Sequence, residues 1–186
     1  MEVVLGIDPG LTRCGVAIVA GSRDPQLRHA GVIRTSSDDP IEARLLALDD
    51  ALRDLIAVHE PTVAAAERVV FNANARTAMP TGQAAGVAML AAARAGLRVH
   101  QYTATAVKLA VAGHGGADKD AVGRMVVAQL GLSAVPRPAD AADAVAVALC
   151  HLARAVIPGA GPSGSWEDVV VDRGLVVKGG TGGGLR

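Results

Sequence analysis

The hydrophobic positions near the start of the chain fall into three short runs. Residues 3–7 and 14–20 are apolar and rich in Val and Ile, and a third run of mixed polarity covers 27–35. An Asp-Pro-Gly turn tripeptide at 8–10 separates the first two runs. Branched apolar residues bounded by Gly and Pro are typical of strands. The pattern therefore predicts three consecutive strands that form an antiparallel meander.

The remainder of the chain alternates helical and strand patterns. After Pro40, Leu and Ile recur every three or four residues with acids on the other face, which predicts an amphipathic helix. The same reasoning predicts strands at 62–66 and 98–102, and helices at 81–95, 104–112, 119–130 and 139–156. The order β-β-β-α-β-α-β-α-α-α indicates an α/β fold, with a five-stranded mixed sheet flanked by helices.

A change in composition divides the chain near its end. From residue 158 Gly, Pro and Ser are dense and no periodic apolar face continues. We therefore predict one domain over 1–157 and a mobile tail over 158–186. The stretch VVVDRGLVV within the tail could instead pair as a hairpin on a partner surface.

Composition excludes several classes of protein. Of the 186 residues 51% are hydrophobic, but 37 are Ala and only 2% are aromatic, which excludes an aromatic ligand cage. The longest apolar stretch, 84–93, is half the roughly 20 residues that a membrane span needs. Glu2 argues against a signal peptide. Two cysteines cannot form a disulfide framework, and we interpret both as buried. We expect a cytoplasmic protein without membrane contact.

The charges are unevenly distributed along the chain. The formal net charge is zero, yet residues 61–137 hold eight Lys and Arg against three acids. This local excess permits a basic face for a polyanion such as nucleic acid. Solvated surface charge without a partner explains the same pattern.

Four acids stand at the ends of predicted elements. Asp8 and Glu67 each end an apolar strand, whereas Asp140 and Asp143 lie three residues apart on one face of the last helix. If the four converge, their repulsion raises their pKa values unless divalent cations neutralise them. Carboxylates that hold two hard cations are typical of phosphodiester hydrolysis. Each acid also has a plain structural explanation: a turn residue, a strand end, or anions at a helix N-terminus.

Four segments together resemble the RuvC family of bacterial Holliday-junction resolvases. They are GIDPGLTRCGVAIV (6–19), AAERVVFNANARTAMPTGQAAGVAML (65–90), VKLAVAGHGGADKDAV (107–122) and PADAADAVAVALCH (138–151). The match spans residues 1–156 in order and with the family's spacing. The chain departs from the family at Pro80, where a Gly is expected, so the start of the following helix is open.

The resemblance implies an RNase H-like fold and an endonuclease that cuts two opposed strands of a four-way DNA junction. It implies that Asp8, Glu67, Asp140 and Asp143 bind Mg²⁺ or Mn²⁺, two ions per subunit. Lys108 and Lys119 would lie near the scissile phosphate and contact DNA. The partner that the resemblance implies is the RuvA-RuvB branch-migration complex.

Two further residues are candidates for contact with DNA. Phe71, in the polar stretch FNANART, is a candidate for stacking on a base at the junction, with a core position as its alternative. Arg76 of the same stretch could contact phosphate or base.

The two-fold symmetry of a four-way junction favours a homodimer. The small-residue stripe of Gly82, Ala85, Gly86 and Met89 in the helix at 81–95 is the predicted interface. Packing of this stripe against the protein's own sheet is the alternative.

Three other functions remain as alternatives. The segment 6–19 also resembles the first phosphate motif of actin-like and sugar-kinase ATPases, but these need two such halves. A non-catalytic junction-binding module would not need the four acids. A nuclease of the same fold that acts on single strands or RNA would keep them.

Overall fold

The computed structural model describes residues 1–21, 23–69 and 75–155. Five strands form one sheet: β1 (Val3–Asp8), β2 (Arg13–Ala20), β3 (Gln26–Arg34), β4 (Val63–Glu67) and β5 (Arg98–Tyr102). Five helices accompany it: α1 (Ile41–His59), α2 (Ala75–Arg94), α3 (Ala104–Ala112), α4 (Lys119–Leu130) and α5 (Ala139–Ala155). The predicted order of elements is confirmed.

The sheet has the strand order β3-β2-β1-β4-β5. Strands β1, β2 and β3 pair antiparallel, as the meander predicts, whereas β4 and β5 continue from β1 in parallel. The carboxyl ends of β1, β4 and β5 therefore meet at one edge of the sheet. Ligand sites of α/β proteins gather at such edges.

Helices cover the sheet on both faces and create two apolar cores. One core lies between the sheet, α3, α4 and α5, and it contains the buried face of α5 from Ala144 to Leu152. The other lies between the sheet, α1 and α2, where Leu48 and Leu52 of α1 are fully buried. Burial of side chains of this size contributes about 1.5 to 3 kcal/mol each.

Two glycines let α5 lie unusually close to the sheet. A Cβ atom at Gly6 of β1 would lie 2.2 Å from the carbonyl oxygen of Ala144. A Cβ atom at Gly15 of β2 would lie 2.0 Å from the carbonyl oxygen of Asp140. Any side chain at either position would push the helix away. The start of α5 is therefore fixed against β2 by backbone contact.

The largest error of the sequence-based prediction concerns α2. The helix begins at Ala75, six residues before the predicted start, and Pro80 lies inside it. A proline within a helix loses one backbone hydrogen bond, and its ring crowds the carbonyl of the preceding turn. The residues from 81 onward continue the helix for more than three turns, which offsets this loss. Strands β1 to β4 differ from their predicted bounds by one residue at one or both ends.

Several other predictions concern single residues or whole classes. Cys14 and Cys150 are both buried and free, as interpreted from the sequence. Among the described helices, none has the length and the apolar character that crossing a bilayer requires. The proposed tail at 158–186 lies outside the described residues, so the domain division stays a prediction.

Candidate active site

Asp8 and Glu67 end two neighbouring parallel strands. In the pairing of β1 with β4, Ile7 lies opposite Ala66, so the next residues along each strand are these two acids. Both are partly buried. The apolar strand interiors before them determine the register, and the polar side chains appear where the strands leave the core. The fold thus places two carboxylates side by side at the edge of the sheet.

Helix α5 brings the other two carboxylates to the same edge. Gly15 pairs with Asp8 across β2 and β1, and the backbone of Asp140 rests directly on Gly15. Asp140 and Asp143 lie in the first turns of α5. The negative charges of both acids help to raise the pKa of Asp8, and the charge of Asp143 helps to raise the pKa of Glu67. The four acids singled out in the sequence therefore share one site.

Burial and repulsion by neighbouring acids make ionisation of the two strand-end carboxylates, Asp8 and Glu67, unfavourable. Burial, followed by the negative charges of Glu67 and the two α5 aspartates, raises the pKa of Asp8 to about 7. Burial and the charge of Asp143 also raise the pKa of Glu67. Perturbed carboxyl groups of this kind are concentrated at functional sites.

The two predicted lysines reach the cluster from different helices. Lys119, the first residue of α4, places its Nζ 2.9 Å from Oδ2 of Asp143, although 76% of its side chain is exposed. This hydrogen bond to Asp143 raises the pKa of the lysine. Lys108 on α3 is partly buried, and its charge opposes the rise in the pKa of Glu67. Both predicted positions therefore lie within electrostatic reach of the carboxylates.

Arg13 is a member of the site that the sequence reasoning missed. Its Nε donates a hydrogen bond to Oδ2 of Asp140 at 2.9 Å, and its Nη2 donates to the same oxygen at 2.5 Å. This pair lowers the pKa of Asp140. Within the segment 6–19 Arg13 is the only basic residue, five positions after Asp8. That spacing was the available signal, since residue 13 begins the strand next to β1.

The donor chemistry of the site fits a hard divalent cation. Carboxylate oxygens are the ligands that Mg²⁺ and Mn²⁺ prefer, and neutralising them removes the repulsion that raises the pKa of Asp8. Within the described residues, however, no three acidic, His or Cys side chains form a ready metal-binding group. Asp140 and Asp143 are instead paired with Arg13 and Lys119. The carboxylates would have to reorient to bind a cation together.

The remaining predicted DNA contacts are not placed by the structure. Phe71 lies outside the described residues. Arg76 lies in the first turn of α2, where the structure describes the backbone alone. Their roles stay predictions.

Replacement of Asp8 by Asn should stabilise the metal-free protein at high pH. Because folding raises the pKa of Asp8 from 3.8 to about 7, the folded state binds the proton more tightly. Its contribution favours folding at low pH and is lost as the pH rises from about 4 to about 7. We expect the variant to exceed the wild type in free energy of unfolding by on the order of 2 to 4 kcal/mol at pH 8, and by far less at pH 4.5.

The measurement is urea unfolding of both proteins in EDTA at the two pH values. Asp54→Asn, which changes an exposed acid of α1, is the matched control and should give no pH-dependent difference. An Asp8→Asn variant less stable than the wild type at pH 8 would contradict the assigned environment.

Comparison with known proteins agrees with this arrangement. The family model of the crossover junction endodeoxyribonuclease RuvC matches residues 4–151. The corresponding protein of Salinispora arenicola is 54% identical over 153 residues, which are 81% of this chain and 87% of that one. The protein of Mycolicibacterium smegmatis is 49% identical over 82% of this chain and 83% of its own length.

Solved structures also resemble this chain. Thermus thermophilus RuvC in complex with a Holliday junction substrate superposes with a TM-score of 0.80 at 38% identity, over 83% of this chain and 95% of that one. The yeast mitochondrial Holliday junction resolvase Ydc2 reaches a TM-score of 0.60 at 12% identity, over 82% of this chain and 79% of that one. The latter likeness supports the fold alone.

Proposed function

The chain belongs to the RuvC family of crossover junction endodeoxyribonucleases, and we propose that it resolves four-way DNA junctions by hydrolysing phosphodiester bonds in two opposed strands. The observation that carries the proposal is the convergence of Asp8, Glu67, Asp140 and Asp143 at one edge of the sheet. Structural explanations that treat each acid separately do not account for this convergence. A purely binding module would have no use for it, and an actin-like ATPase needs two halves of this kind, whereas the described residues form one sheet.

Nucleases of the RuvC family depend on divalent metal ions. We propose Mg²⁺ or Mn²⁺ here, two ions per subunit, with the four acids as ligands. When bound, such ions activate a water molecule and stabilise the charge that develops on the phosphoryl and leaving oxygens. Asp8 and Glu67 are only partly exposed, so neighbouring atoms limit the access of bulk water to their carboxylates.

The two lysines would hold the substrate phosphate. The exposed Nζ of Lys119 can exchange its carboxylate partner for a phosphoryl oxygen by rotation of its side chain. Lys108 approaches from α3 on the side of Glu67. Lysine acts here as a flexible point charge, suited to stabilising an oxygen whose negative charge grows during the reaction.

A groove beside the site supports the binding of a DNA strand. A cavity of about 910 Å³ opens between α4 and the start of α5, next to Lys119 and Asp143. Arg124 and Arg137 also line it. Within the described part of the chain, neither arginine takes part in an ion pair. Their charges are therefore available to the sugar-phosphate backbone next to the cleaved bond.

The deciding experiment is cleavage of a synthetic four-way junction that has a mobile core. With Mg²⁺ or Mn²⁺ we expect paired cuts in opposed strands, with 5′-phosphate and 3′-hydroxyl ends that a ligase reseals. A linear duplex of the same sequence and reactions in EDTA are the controls. Equal cleavage of duplex and junction, or cleavage of single strands or RNA alone, would contradict the proposal.

A homodimer would supply the two sites that paired cuts need. Two residues of the predicted stripe are turned inward: Ala85 is buried in the folded chain, and the partly buried Met89 accepts a hydrogen bond from Gln101 through its sulfur. The exposed face of α2 instead carries Met79, Gly86 and Leu90. Their spacing of seven and four residues places them along one side of the helix. We propose this face as the dimer contact.

Gly86→Arg should produce a monomer. A Cβ atom at Gly86 would meet no atom within 4 Å in the folded chain, so the change should leave the subunit folded and block only a partner's approach. We expect the mass by light scattering to fall from about twice 18.7 kDa to 18.7 kDa, and junction cuts to become unpaired. Ala128→Arg, on the exposed side of α4, is the control and should remain dimeric. Paired cuts by a monomeric variant would exclude the two-site arrangement.

Cooperation with the RuvA-RuvB branch-migration complex follows from family membership alone and stays a prediction.

A further inference from the structure

We propose that Arg13 is a positioning residue that acts as an internal counter-ion: it holds Asp140 until a divalent cation displaces it, and thereby lowers the metal affinity of the DNA-free site. The inference rests on the proposed function, because it takes Asp140 to be a metal ligand. It concerns a residue that neither the sequence pattern nor the family resemblance identifies.

The first argument is the geometry of the ion pair. Nε and Nη2 of Arg13 both point at a single oxygen of Asp140, Oδ2. Both side chains are partly shielded from water, at 38% and 27% exposure. Charge-assisted bonds from two donors of one guanidinium fix the carboxylate in orientation as well as in charge. The pair therefore links the start of β2 to the start of α5 in a defined geometry.

The second argument is competition for the same oxygen. An oxygen that accepts two guanidinium N–H bonds has few lone-pair directions left for a cation. A guanidinium is permanently positive and would repel a divalent ion a few ångströms away. Binding of a metal through Oδ2 of Asp140 therefore requires Arg13 to withdraw.

Comparison with the neighbouring pair explains why Arg13 has the larger effect. Lys119 also holds one oxygen of its aspartate, Asp143, but through a single bond from a side chain that is 76% exposed. Water readily replaces the partner in such an exposed ion pair. Arg13 is half as exposed and makes two bonds. Its release is the more costly step.

A DNA phosphate is the natural acceptor for the released arginine. Arg13 begins β2 at the edge of the sheet where the four carboxylates lie, and the forked guanidinium matches a phosphate as well as it matches a carboxylate. DNA would then favour the released state of Arg13, and the metal would do the same. Two ligands that favour one state raise each other's affinity. The site would thus bind its ions more tightly once the junction is present.

The test is a calorimetric titration of the metal-free, full-length protein with Mn²⁺. We expect Arg13→Gln to bind Mn²⁺ about three- to tenfold more tightly than the wild type in the absence of DNA. Arg13→Lys, which keeps the charge and loses the fork, should fall between the two. Arg53→Gln removes an exposed arginine that pairs with Asp49 on α1 and should leave the affinity unchanged.

A second titration addresses the coupling. Addition of a four-way junction should raise the Mn²⁺ affinity of the wild type more than that of Arg13→Gln. Equal or weaker Mn²⁺ binding by Arg13→Gln without DNA, in a variant whose circular dichroism matches the wild type, would overturn the proposal. If Arg13→Gln fails to fold, an unchanged Mn²⁺ affinity in Arg13→Lys would overturn it as well.

The inference and the proposed function fail separately. If the wild type resolves junctions but Arg13→Gln binds Mn²⁺ no more tightly, only the role of Arg13 is wrong. If Arg13→Gln binds Mn²⁺ more tightly while the wild type leaves junctions uncut, the counter-ion role stands and the function is wrong.

Discussion

Asp8→Asn should reduce the rate of junction cleavage by at least about 100-fold, while affinity for the junction stays the same or rises. Asparagine has nearly the same shape but carries no charge, so the metal ligand is lost and the fold is kept. Asp8 pairs with Gly15 of β2, and the charges of the other three acids all act on it. Junction affinity depends on basic groups that hold phosphates, and removal of an acid lessens repulsion.

The measurement is single-turnover cleavage with Mg²⁺ at saturating protein, together with gel-shift binding in EDTA. Asp143→Asn should behave in the same way, whereas Asp54→Asn should cleave like the wild type. Wild-type cleavage by either site variant would remove that acid from the active site. Loss of binding and cleavage together, with a normal melting curve, would point to a role in substrate contact instead.

Gly15→Ala should strongly destabilise the protein. The new Cβ would fall 2.0 Å from the carbonyl oxygen of Asp140 and 3.2 Å from the Cβ of Asp8. Neither the strand nor the helix can move without disturbing the core on that face of the sheet. Overpacking of this kind costs about 1 to 3 kcal/mol, and contact with backbone rather than side chain favours the upper end.

Urea unfolding and cleavage assays on one preparation would test this prediction. Because α5 must shift to admit the methyl group, we expect cleavage to fall even in the fraction of the variant that remains folded. Gly116→Ala is the matched control: its Cβ would meet only the ring of His114, at 3.9 Å, so stability should stay within about 1 kcal/mol of the wild type. Equal stability of Gly15→Ala and the wild type would show that α5 packs less closely against the sheet.

The sequence pattern was sufficient for the order of the elements because local signals marked each one. Strand runs stop at turn residues. Helices α3 and α4 begin at side-chain N-caps, Thr103 and Asp118, and end at glycine C-caps, Gly113 and Gly131. The start of α2 was wrong because a local rule about proline was outweighed by the length of the helix after it. Strand order depends on pairing between distant segments, and no local pattern contains it.

The acidic residues of the candidate site were predictable from the sequence, and its basic residues were less so. Asp8 and Glu67 follow apolar strands, and parallel strands bring their ends together. Asp140 and Asp143 needed the resemblance, since only the packing of α5 across β2 places them there. Arg13 was missed because its partner lies 127 residues away, and its position five residues after Asp8 was the one local signal.

The glycine and alanine seam between α5 and the sheet has a consequence for how this protein tolerates change. Gly6, Gly15, Ala144 and Ala148 have no large side chains that could be trimmed or exchanged against one another. In most cores a larger side chain at one position can be compensated by a smaller one at a neighbouring position. The residues of this seam are already too small for such compensation. Every substitution here other than Ala to Gly adds atoms, and each added atom would push α5, with Asp140 and Asp143, away from Asp8 and Glu67. Among functional variants of this protein, substitutions should therefore be concentrated on the outer side of α5 and be rare in the seam.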